Sequence, residues 1–135
     1  MTFSDNRSQP ISAVRVWSGR VVSGIMVVFF LMDAVLHLMK PAPVIEAFHR
    51  LNVPVGLSTG LGVLELVLVM LYLVPMTAVS GAILLTGYLG GAVAIQLRAG
   101  SSAFETVFPA ILGVGFWLGL FLRRRSEWVS AFFGG

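Results

Sequence analysis

At 135 residues and a net charge of +3, the chain has the length of one domain but not the make-up of a soluble one. Apolar residues make up 57% and charged residues 11%, against about 25% charged in typical globular proteins, so a bilayer must serve as solvent for most of the chain. The Lys and Arg side chains sit at segment ends instead of forming a basic patch, which excludes nucleic-acid binding, and the lack of cysteine excludes disulfides, thiolate nucleophiles, cysteine-held metals and dithiol relays.

Residues 1–20 read as an N-terminal arm. Met1–Pro10 is polar, and Lys40-Pro41 follows the first apolar run where a signal peptide would carry small residues, so the first span is expected to be retained. Arg15, Trp17 and Arg20 are the mix found at a membrane interface. A four-span transmembrane domain is expected over 21–125. Span 1 is Val21–Met39, whose helix rises about 28 Å and can cross the hydrocarbon core. Lys40-Pro41-Ala42-Pro43 stops it. A short helix over Pro43–Leu51, with Ile45, Phe48 and Leu51 on one face, is expected to lie flat at the interface.

Span 2 is placed at 57–74, span 3 at 77–97 and span 4 at 104–122, closed by Arg123–Arg125, with 126–135 as a tail along the surface. Pro75-Met76-Thr77 is so short a connection that spans 2 and 3 must be an antiparallel pair. The expected fold is therefore all-α, an integral membrane four-helix bundle with an interfacial helix between spans 1 and 2. Four spans put both termini on one side. That side holds Arg7, Arg15, Arg20 and Arg123–Arg125, against Lys40, Arg50 and Arg98 opposite, so the positive-inside rule places the termini in the cytoplasm. Gly56-x3-Gly60, Gly87-x3-Gly91 and Gly115-x3-Gly119 are expected to serve close helix packing within the bundle, with a dimer interface as the alternative.

A few polar residues stand out inside the spans. Asp33 and His37 share a face of span 1 at i, i+4, Glu65 lies near the middle of span 2, and Tyr88 and Gln96 share a face of span 3. Counted from the end that bears the short helix, Asp33 and Glu65 lie roughly 9–12 Å deep, in one band with Tyr88. These groups can line a single pocket in the outer half of the bilayer, lidded by Pro43–Leu51. Ionisable groups in lipid are costly and normally face a protein interior or a wet cavity, so Glu65, Asp33 and His37 are the candidate catalytic or proton-handling residues. A structural polar clasp is the alternative. Tyr88, Gln96 and Trp117 are the candidate ligand contacts, or else interhelical hydrogen-bonders and core. Asp33, His37 and Glu65 could in principle ligate a metal, but no ExxH or HExxH spacing accompanies them, and no metal is assigned. Phosphate loops and nucleophile elbows are missing.

The Phe29-Phe30-Leu31 and Leu38-Met39-Lys40 stretches, Leu51-Asn52-Val53-Pro54, the LGVLEL run at 61–66, Pro75-Met76-Thr77-Ala78, the LLTGYLGGAVA run at 84–94, Gln96-Leu97-Arg98 and Pro109 together resemble the DoxX-like membrane proteins over about 24–125. The resemblance implies a four-helix protein of the bacterial inner membrane. It also implies association with quinone-linked redox chemistry, since the family takes its name from members found with a quinone-linked oxidoreductase. Glu65, Tyr88 and Gln96 fall in the matching motifs; Asp33 and His37 lie outside them. No intrinsic cofactor is expected, and a bound quinone is the one the resemblance admits. The expected partners are the bilayer, a lipophilic small molecule, and either a redox protein or further copies of the chain. Whether the chain is itself an enzyme stays open. It can bind a quinone-like ligand for chemistry done elsewhere, act as an intramembrane acid–base isomerase or cyclase, or serve as a transport or structural subunit.

Overall fold

Prolines and left-handed residues set most of the helix ends. The structure, a computed structural model, describes residues 13–133, with side chains through 124. The expected polar segment at Met1–Pro10 lies outside the described residues. Helix α1 spans Ala13–Met39 and stops at Lys40, which takes a left-handed φ of 50° just before Pro41. Helix α2, Ala42–Arg50, starts after Pro41 with Pro43 in its first turn, where a missing N–H costs nothing. Asn52, at φ 54°, turns the chain away, and Val53 N–H bonds back to the Phe48 carbonyl at 2.9 Å. Asn tolerates this conformation better than most residues.

Helix α3, Leu57–Leu73, ends where Val74 is held extended by the following Pro75. Helix α4 is Ala78–Arg98, and Gly100, at φ 67°, leads into the last turn. Helix α5, Ala103–Phe133, opens with a capping box. Ser102 N–H donates to Glu105 Oε2 at 3.1 Å, and Glu105 N–H donates to Ser102 Oγ at 3.3 Å.

Among the described residues, four of the five helices form the bundle. Neighbours around it are α1–α3, α3–α4, α4–α5 and α5–α1, all antiparallel in chain order, with α2 across one end. Helices α1, α4 and α5 each have the length and composition to cross a membrane, and the apolar α3 completes the bundle at 17 residues. The core stacks Phe30 edge-on against Phe116, with centroids 5.1 Å apart, and Tyr72 against the same ring at 4.9 Å. Large apolar side chains such as Ile25, Val28, Val67, Met70, Ile83, Ile111 and Val114 point outward, as lipid requires.

Three expectations need correction. Helix α1 begins two turns before Val21, so Arg15, Trp17 and Arg20 belong to it. Helix α5 does not close at 122; nothing from Arg123 to Phe133 breaks a helix, and the first glycine is Gly134. Charge marks where lipid ends, not where the helix does. The small-residue pairs also behave unequally. A Cβ added at Gly56, Gly60, Gly87 or Gly91 meets nothing within 4 Å, so those pairs do not pack helices together within the bundle. Gly115 and Gly119 do lie against α1, at Met26 and Ser23.

Candidate functional site

One face of α3 positions the site. Ser58, Gly62, Glu65, Val69 and Tyr72 are spaced by four, three, four and three residues, and all are buried. Ser58 Oγ donates to the His37 carbonyl at 2.7 Å and ties α3 to the end of α1. Gly62 lets the two backbones close; a Cβ there would sit 2.9 Å from the Ala34 carbonyl oxygen. With α3 this close, Glu65 reaches the polar face of α1.

The Glu65 side chain is fully buried. A carboxylate taken out of water needs hydrogen-bond donors on its oxygens. It receives two. Tyr88 of α4 donates its hydroxyl to Oε1, and His37 of α1 presents Nδ1 to Oε2 at 3.2 Å. Asp33 lies one turn below His37, with Oδ2 3.9 Å from Nδ1, beyond hydrogen-bond reach. Its side chain is 42% exposed, where that of His37 is 16% exposed. Phe30 and Phe48 pack edge-on against Tyr88 and His37, and fix the two rings that hold Glu65.

Beside this cluster lies a cavity of about 500 Å³. Asp33, His37, Tyr88 and Gln96 are its polar lining, and Phe29, Phe30, Phe108 and Leu112 are among its apolar walls. Phe48 and Leu51, on or just after α2, close one end. The end of α2 and the turn after it are held to the far side by Arg50, whose Nη1 lies 2.7 Å from Glu105 Oε1, and by Arg98, whose Nη2 donates to the Leu51 and Asn52 carbonyls at 3.4 Å each. A volume of this size, mostly apolar with a few convergent polar groups, is the usual form of a small-molecule site.

The structure thus brings together Asp33, His37, Glu65 and Tyr88, and sets Gln96 two turns further along α4, on the same cavity. Glu65 stands behind Tyr88 and His37 and does not line the cavity itself. Trp117 is elsewhere. Its indole Nε1 donates to Thr86 Oγ1 at 2.8 Å, in a separate apolar groove between α4 and α5. Phe48, Phe108, Ser58 and Gly62 were not singled out from sequence as parts of the site. Gly62 carried a readable signal, a glycine one turn before a buried carboxylate.

A second polar knot closes the opposite end of the bundle. The Tyr72 hydroxyl donates to the Phe116 carbonyl at 2.7 Å and lies 3.0 Å from Ser23 Oγ. Arg123 covers the Tyr72 ring, with its guanidinium carbon 4.6 Å from the centroid.

Asp33, His37 and Glu65 each offer a ligand atom, all within 4.8 Å of one another, which is metal-binding geometry in outline. As arranged, both Glu65 oxygens and His37 Nδ1 are already engaged in hydrogen bonds. A cation would have to displace them.

No curated protein and no solved structure matches the chain. A family model does, over residues 21–119, and those residues hold α3, α4, the cavity and every side chain of the Glu65 cluster. The chain belongs to the DoxX-like family.

Proposed function

We propose that this DoxX-like protein binds a quinone or similar lipophilic ligand in the cavity beside Asp33, His37 and Tyr88, and so supports redox chemistry in the bacterial inner membrane. The observation that carries this reading is the roughly 500 Å³ cavity inside an apolar bundle, walled on one side by a hydrogen-bonded ionisable cluster. An apolar tail fits among Phe29, Phe108 and Leu112, and a polar head fits at the cluster. In this reading Glu65 holds Tyr88 and His37 in place. Asp33 and His37, the more accessible groups, exchange protons with the ligand head. The cysteine-free chain has no thiol couple, so electrons would pass to or from the ligand through a partner redox protein. Both termini would face the cytoplasm, on the side richer in arginine.

A second reading, acid–base catalysis on a hydrophobic substrate, draws on the different surroundings of the two carboxyls, Asp33 half-exposed and Glu65 sealed.

Purification from native membrane, followed by mass spectrometry of the retained lipids, tests the first reading. The expected result is a quinone-class molecule kept by the wild type and lost from Glu65→Gln. Retention of no ligand by either protein would refute the reading. Conversion of a retained hydrophobic molecule into an isomer would favour the second.

A further inference from the structure

We infer that the cavity selects a ligand whose polar head donates hydrogen bonds, a hydroxyl-bearing lipophile in preference to one that carries only carbonyl or ether oxygens. The inference rests on the cavity reading above and narrows it: of a quinone couple, the cavity would hold the reduced, hydroxyl-bearing quinol in preference to the quinone, whose carbonyls only accept.

Tyr88 has one hydroxyl proton, and it is spent on Glu65 Oε1. His37 meets Glu65 Oε2 through Nδ1. Glu65 accepts there, so the Nδ1 proton is spent inside the cluster as well. Glu65 therefore draws the cluster's donors toward itself, away from the cavity.

What remains to meet a ligand is acceptors: the half-exposed Asp33 carboxylate and the Tyr88 oxygen lone pairs. Two turns along α4 the pattern repeats. Gln96 Oε1 is buried with no hydrogen-bond partner, and Gln96 lines the same cavity. A buried acceptor without a donor is costly, and a ligand hydroxyl would relieve it. A carbonyl or ether oxygen would instead meet lone pairs with lone pairs. The Gln96 amide nitrogen can donate, and it lies two turns along α4 from Tyr88.

The test compares 4-decylphenol with 4-decylanisole, its methyl ether, with 4-undecylphenol as the control for the added carbon. Binding is measured to the purified full chain in nanodiscs, against empty nanodiscs of the same lipid. Both phenols are expected to bind about tenfold or more tighter than the ether, because the lost bond is made to a charged acceptor. Asp33→Leu should bring that ratio close to one while the protein remains helical and monodisperse. Gln96→Leu, further from the phenol head, should change it less. Equal affinity for phenol and ether, or tighter binding of the ether, overturns the inference and leaves the cavity reading standing. Binding of neither probe by folded wild type overturns both. A ratio unchanged in Asp33→Leu also overturns the inference, because the preference would then arise outside the cluster.

Discussion

Gly62 and Ala34 face each other so closely that no side chain fits between them: a Cβ on Gly62 would lie 2.9 Å from the Ala34 carbonyl oxygen and 3.1 Å from the His37 Cβ. This approach lets Glu65, one turn on, reach His37. Gly62→Ala should push α3 from α1 and destabilise the protein by about 1–3 kcal/mol, as overpacking does. Gly60→Ala, at an open position, should change stability little or raise it slightly, since alanine favours helix. Thermal unfolding in one detergent measures both. Equal losses in the two variants would contradict close packing at Gly62.

The Glu65 cluster should behave as a unit. Glu65→Leu leaves the Tyr88 hydroxyl and His37 Nδ1 without their acceptor, at a cost of roughly 1–3 kcal/mol for each buried group. Tyr88→Phe removes one of those stranded donors, so the double variant should be more stable than the sum of the single losses predicts. A double-mutant cycle on unfolding free energies checks this. Strict additivity would show that Tyr88 and Glu65 do not depend on each other.

The opposite polar knot should matter for stability and not for the ligand. Tyr72→Phe removes the bond to the Phe116 carbonyl and the contact with Ser23, for an expected loss of about 1–2 kcal/mol. Ligand retention, read by mass spectrometry of the purified variant, should match wild type, since Tyr72 lies outside the cavity lining.

Access to the cavity should depend on the contact between Arg50 and Glu105. Helix α2 lies between two left-handed residues, Lys40 and Asn52, where the chain direction changes. Phe48 is only 6% exposed beneath it. Because the chain has no cysteine, Phe48→Cys gives one thiol whose maleimide labelling reports opening. Adding Arg50→Ala should speed labelling several-fold, and an unchanged rate would show that the ion pair does not hold α2 down.

The bundle was legible in sequence because lipid makes a strong demand: long apolar runs, interrupted by prolines, with charges at their ends. The same demand hid the true ends of α1 and α5. Arg15, Trp17 and Arg20 mark an interface, yet helix continues through them, and Arg123–Arg125 do not stop α5 because no Pro or Gly follows until Gly134. In the site, the depth count brought Asp33, His37, Glu65 and Tyr88 together correctly. Rotation was another matter. Trp117 shares the family region but turns toward Thr86, and the pairs at Gly56 and Gly87 turn away from the bundle. Depth follows from rise alone, whereas facing depends on which neighbour each helix meets.

The polar bonds of α3 to its neighbours are made at three positions, Ser58, Glu65 and Tyr72, seven residues apart each time, and together reach three different helices. Apolar contact gives little preference for one alignment in lipid, because a hydrocarbon tail is as good a neighbour as leucine. These bonds supply what burial cannot. Sliding α3 by one turn, or rotating it by one residue, would break all three together. The helix is thereby keyed to a single alignment, with the Glu65 carboxyl as its middle tooth, and a change that repairs one position in a shifted alignment still leaves two broken.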